Sequence, residues 1–151
     1  MFLAQLKKYT ESHEWIELAD GTKNGMSPIS SQSSIMLLSN SHIDQELAKV
    51  GITAYAAHSL GDVVFAEPPE VGLEVSVGDV VGAVESVKSA SDVLSPVAGK
   101  VIQGNPVLED SAKTINASPE GDGWIAEIEV SDPAELEALL DEAAYKELIA
   151  E

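Results

Sequence analysis

The chain has 151 residues, 44% of them hydrophobic, and a formal net charge of −18. That length suits one domain with a real core, and 26 acidic residues against eight lysines and no arginine leave no basic patch for nucleic acid or anionic lipid. Cysteine is absent, which excludes disulfides, thiolate nucleophiles and Cys-ligated zinc, and the three histidines, at 13, 42 and 58, lack metal spacing.

The first residues, MFLAQLKK, do not read as a signal peptide, because the apolar stretch is short and no arginine-rich presequence precedes it. Residues 9–18, YTESHEWIEL, read as an opening strand, with Trp15, Ile16 and Leu18 as its apolar side chains and Asp20-Gly21 as the turn beyond it. Residues 22–47 are rich in Ser, Asn and Gln and read as an inserted loop around one short apolar patch, Ile35 to Leu38, which has the alternative reading of a short buried strand or helix turn. Thr53 is placed to cap a short helix through Leu60, which Gly61 ends. Short valine-rich strands follow at 62–67, 73–77, 80–87, 92–95, 99–103 and 124–130. Gly and Pro turns separate them, a spacing that predicts a small all-β sandwich or barrel. SLGDVV at 59–64 recurs as SVGDVV at 76–81, either as two ordinary turn-to-strand junctions or as two related halves of a quasi-twofold fold. The C-terminal segment, 132–150, reads as one or two helices. Asp132 is an N-cap with Pro133 first and Glu135 completing a capping box, and Asp141 is a second cap.

Lys88 is the sole basic residue between Lys49 and Lys100. Ser86, Ser89, Ala90 and Ser91 surround it, and Glu85 and Asp92 stand just outside them. The flanking strands put it at a hairpin tip, where an ammonium is open to a modifying enzyme. A lysine serving as an internal base would need an apolar cage, and nothing in the sequence supplies one. Most lone lysines are simply solvated, so the tip position alone leaves both readings open.

The motif ESVKSASD, followed by SPVAGKV, resembles the lipoyl-lysine hairpin of the glycine cleavage system H proteins. The resemblance covers YTESHEWIEL at 9–18 and nearly all of 50–146, including the Gly-Trp-Ile run at 123–125. It departs from the family at 22–47, where family members turn directly into the next strand. Lipoyl domains of acyltransferases usually carry Asp before the lysine and biotin carriers flank theirs with methionine; Val87 and Ser89 fit neither.

The resemblance implies a single mostly β domain over 1–151, a small barrel-sandwich hybrid like other lipoyl and biotinyl carriers, with a short internal helix and C-terminal helices. It implies lipoic acid bound covalently to Lys88, which would take the net charge from −18 to −19. The chain would then be a carrier and not an enzyme. Its partners would be a lipoylating enzyme, a PLP-dependent glycine decarboxylase, an aminomethyltransferase using tetrahydrofolate, and dihydrolipoamide dehydrogenase. It would work in the mitochondrial matrix of a eukaryote or the cytoplasm of a bacterium. Ser12, Glu14 and Asp92 match positions of a cleft that would shelter the loaded arm, where a carboxylate and a hydroxyl hold a protonated amine. Each also has a plainer reading: Ser12 as a turn cap, Glu14 as a solvated strand residue, Asp92 as a hairpin stabiliser. His13 and Trp15 read as packing residues. The alternatives are a carrier that relays lipoyl groups to other acceptors, and an unmodified acidic β-protein that binds a partner.

Overall fold

A computed structural model describes residues 7–18 and 46–150. Among the described residues, nine strands form two antiparallel sheets. The larger runs β1 (Lys7–Tyr9), β2 (Glu14–Leu18), β3 (Glu46–Ile52), β9 (Ala126–Val130), β8 (Gly99–Gly104), β5 (Glu74–Val75) in spatial order. The smaller is β4 (Val63–Glu67), β6 (Val80–Ser86), β7 (Ala90–Leu94). The expected mostly β sandwich is therefore observed.

Alternation builds the core. In β9, Ala126, Ile128 and Val130 are buried while Glu127 and Glu129 are half-buried, the two-residue period of a sheet with one apolar face. In the smaller sheet Ala66 and Val84 point inward beside Val93, and Phe65, Glu85 and Ala90 lie in register on the outer face. A second cluster sits on the far side of β2. There Trp15, 1% exposed, packs with Tyr9 and Tyr145, and its indole N–H donates to the Pro119 carbonyl at 2.9 Å. Gly51 is required at this place, because a Cβ there would stand 2.9 Å from the indole nitrogen.

Helix α1 (Ala54–Leu60) is the expected one: Thr53 Oγ1 accepts from the Ala56 N–H, and Gly61, at φ 81°, closes it by donating to the Ala57 carbonyl. The two SxGDVV copies are turn-to-strand junctions. Gly61 and Gly78 both have positive φ and lead into β4 and β6, which are antiparallel neighbours.

Several expectations are corrected. The opening strand is two strands, because Thr10 to His13 form a tight turn in which the His13 N–H donates to the Thr10 carbonyl. The inserted loop ends earlier than 47: Glu46 and Leu47 already pair with Val130 and Glu129. The rest of the 22–47 segment lies outside the described residues. Two short helices, α2 (Val107–Asp110) and α3 (Thr114–Ala117), fill the stretch between β8 and β9, where no helix was expected. Asp132 caps a 3-10 helix at Pro133–Ala138, but Glu135 does not close a capping box. Its carboxylate reaches the Ala98 N–H instead, at 2.8 Å, which is a tie across the fold. Helix α4 (Glu142–Ile149) is capped by Asp141 as expected, yet it buries Tyr145 and leaves Leu148 exposed.

Candidate functional site

Lys88 stands at the tip of the β6–β7 hairpin, in a three-residue loop with Val87 and Ser89. Ser86 makes that tip rigid. Its Oγ accepts from the N–H groups of both Lys88 and Ser89 at 3.1 Å, and its own N–H donates to the Ser89 carbonyl at 2.8 Å. The Val87 N–H donates to the Asp62 carbonyl at 3.0 Å, which ties the tip to the junction before β4. Lys88 itself is exposed, and no ion pair holds it among the described residues. Its stem passes over Gly61: a Cβ there would lie 3.6 Å from Lys88 Cε. An open amine with small neighbours on a fixed pedestal fits a site of covalent acylation.

The other three expected residues meet in one place. Ser12, Glu14 and Asp92 line a cleft of about 190 Å³ between the Thr10–Glu14 turn, helix α1 and the β6–β7 hairpin. Val84, Ser91 and Val93 form the hairpin wall, and Tyr55, Ala56, Ser59 and Leu60 the helix wall. Lys88 is outside this cleft. Asp92 is four positions further along the chain, so their Cα atoms are at most about 14 Å apart. That is a distance for a tether, since the lysine itself does not line the cleft.

Glu14 differs from its plainer reading. It is 3% exposed, so it is not a solvated strand residue. Its Oε1 accepts from the hydroxyls of Thr10 and Ser12, both at 2.6 Å, and its Oε2 from the Leu94 N–H at 3.2 Å. Three donors offset the cost of burying this charge. Ser12 therefore spends its proton on Glu14 and keeps oxygen lone pairs to offer. Asp92, in contrast, is exposed. A larger concavity, of about 510 Å³, opens on Tyr9, Leu94, Pro96 and Leu139 and shares only Ser12 and Glu14 with the cleft.

Some contributors carried no signal in the sequence. Thr10 binds Glu14 from both ends, its Oγ1 donating to the carboxylate and accepting the Glu14 N–H at 3.0 Å. Asn116 joins α3 to the junction before β4: its Nδ2 donates to the Gly61 carbonyl and its Oδ1 accepts from the Val63 N–H. His13, read as packing, does stack on Tyr55, with ring centres 4.7 Å apart, but it also bonds to Tyr145. Only the local pattern Thr10-x-x-x-Glu14 would have pointed to a turn that folds back on its own carboxylate.

A family model for the glycine cleavage H-protein matches residues 37–151. The chain belongs to this family. Among its relatives, the glycine cleavage system H protein of Phenylobacterium zucineum is 43% identical over 95% of this chain and 98% of its own length. That of Thermotoga maritima is 42% identical over 97% and 98%. A mitochondrial H protein of Drosophila melanogaster is 40% identical over 98% of this chain and 75% of its own length. The crystal structure of an H protein from Mycobacterium marinum covers 99% of this chain and 100% of its own, with 30% identity and a TM-score of 0.71. H-protein membership makes the chain a carrier subunit of the glycine cleavage system, not one of its catalysts, and the fold is the barrel-sandwich of that family.

Proposed function

We propose that Lys88 carries lipoic acid in amide linkage and that the chain shuttles the aminomethyl group of glycine between enzymes of the system. The observation that carries this reading is the pairing of an open lysine on a rigid tip with an acceptor-lined cleft within tether reach. When bound, the lipoyl group supplies two sulfurs that take up the aminomethyl group and a pair of electrons.

The residues of this chain do the rest. A protonated amine is a donor only, so the cleft must offer acceptors. Asp92 offers an exposed carboxylate, and Ser12 an oxygen whose proton is already given to Glu14. Glu14 adds a fixed negative charge behind them. The Val84, Val93 and Leu60 side chains remove water from the third side. The partners in this reading are a lipoylating enzyme, the PLP-dependent decarboxylase, the tetrahydrofolate-using aminomethyltransferase and dihydrolipoamide dehydrogenase. The carrier would be found with them, in a mitochondrial matrix or a bacterial cytoplasm.

The test is peptide mapping over residues 80–100 of native material, paired with Lys88→Arg. The expected results are a lipoyl mass on Lys88 alone, and a folded arginine variant that supports no glycine cleavage. A lipoyl mass on another lysine, or retained turnover by the variant, would refute the assignment.

A further inference from the structure

The two walls of the cleft come from segments distant in sequence, and one side chain from a third segment touches both. Tyr145 of α4 lies with its hydroxyl 2.8 Å from His13 Nδ1 and 2.8 Å from Thr53 Oγ1. His13 belongs to the turn that presents Ser12 and Glu14, and Thr53 is the N-cap of the helix that forms the opposite wall. The Thr53 N–H also donates to the His13 carbonyl at 3.0 Å. This backbone bond joins the walls at their base. The hydroxyl fixes how the imidazole leans, and the imidazole lies against Tyr55 inside the cleft.

His13 needs such a hold. It is the sole non-glycine residue with positive φ among the described residues, at 74°. Side chains rarely adopt this conformation, so something around it must select it. Tyr145 is itself fixed: it is 4% exposed, and its ring stacks on Tyr9 with centres 4.7 Å apart and planes 8° from parallel.

We propose that Tyr145 is a positioning residue for the Lys88 arm, its hydroxyl setting the shape of the cleft by clasping His13 to Thr53. This rests on the reading that the cleft shelters the loaded arm. The hydrogen-bond chain has a preferred direction. Thr53 Oγ1 already accepts from the Ala56 N–H. If the Thr53 hydroxyl donates to Tyr145 and the Tyr145 hydroxyl donates to His13 Nδ1, both hydroxyl protons are paired. The reverse direction leaves the Thr53 proton without an acceptor among the described residues. In the preferred direction His13 Nδ1 is the acceptor and the ring proton sits on Nε2.

The test uses Tyr145→Phe, which keeps the stacked ring and removes one oxygen, with Thr53→Ser as the variant that keeps its hydroxyl. The first measurement is the pair of imidazole nitrogen chemical shifts of His13 in the full chain without the lipoyl group. Tyr145→Phe should move the Nδ1 shift, because that nitrogen loses its hydrogen-bond donor, and Thr53→Ser should keep it. The second is release of formaldehyde and ammonia from lipoylated, aminomethyl-loaded protein without the transferase. Tyr145→Phe should speed it roughly two- to tenfold, the worth of one net hydrogen bond, and Thr53→Ser should not. Unchanged His13 shifts in Tyr145→Phe would overturn the clasp even if Lys88 proved unlipoylated. Altered shifts with release at the parent rate would overturn the positioning role and leave the carrier reading intact.

Discussion

Glu14 and Asp92 face the same cleft but are held differently, and substitution should separate them. Glu14 is buried with three donors aimed at it, so Glu14→Gln places an amide N–H₂ against donors and leaves at least one of them unpaired. The expected cost is about 2 kcal/mol in urea unfolding. Asp92 is exposed, and Asp92→Asn should change stability by less than about 0.5 kcal/mol. Both should hasten loss of the aminomethyl group. For Asp92→Asn that loss, roughly tenfold faster, should come without any shift in the unfolding midpoint. Two tyrosines add a pH dependence. Burial, with the charge of Glu120 next, holds the Tyr9 phenol well above its ordinary value of 10.0, and burial likewise raises Tyr145. Both groups are neutral when protonated, and the folded state keeps the proton longer than the unfolded chain. Their contribution is thus complete below pH 10 and is lost as the pH rises through the raised values. Melting temperature should fall above pH 10, and Tyr9→Phe should flatten the fall; an equally steep decline in that variant would assign the effect elsewhere.

At the level of elements, the join between β2 and β3 gives a sharp expectation. Leu18 pairs with Ala48, so removing residues 22–47 would join these two strands through the three residues 19–21, which include the Asp-Gly pair. Asp-Gly suits such a turn. Shortening the connection also lowers its closure entropy, by about 0.6 kcal/mol per halving of length. The deletion should raise the melting temperature and leave acylation of Lys88 intact; loss of a cooperative melt would show that the segment supports the fold. How far these elements could be read from sequence depended on what held them. Helix α1 was legible because its cap, Thr53, and its stop, Gly61, act locally. So was the Lys88 hairpin, whose valine alternation and small tip residues lie within one stretch. The break at Thr10–His13 was not, because it is set by Glu14 turning inward to meet Leu94, eighty positions away. Glu135 failed as a capping box for a similar reason: Ala98, remote in sequence, offered it a better partner. Residues Ser12, Glu14 and Asp92 were found by likeness to a family. Tyr145 and Asn116 act at long range and left no local pattern.

The whole molecule carries 26 acidic side chains against eight basic ones, a field that attracts partners with basic surfaces. The screening length is about 10 Å at 0.1 M salt and about 3 Å at 1 M. If the proposed reading holds, loading by the decarboxylase should therefore lose roughly tenfold in kcat/KM between low and high salt, with kcat little changed. A kcat/KM indifferent to salt would mean that steering plays no part. The second hydrophobic cluster has an optical consequence. Both tryptophans of the chain belong to it: Trp15 within, and Trp124 at its edge under the Lys49 ammonium. Intrinsic fluorescence thus watches β1, β2 and α4, whereas circular dichroism in the far ultraviolet watches both sheets. Comparing the two signals through one melt asks whether the C-terminal helix leaves with the sandwich or before it.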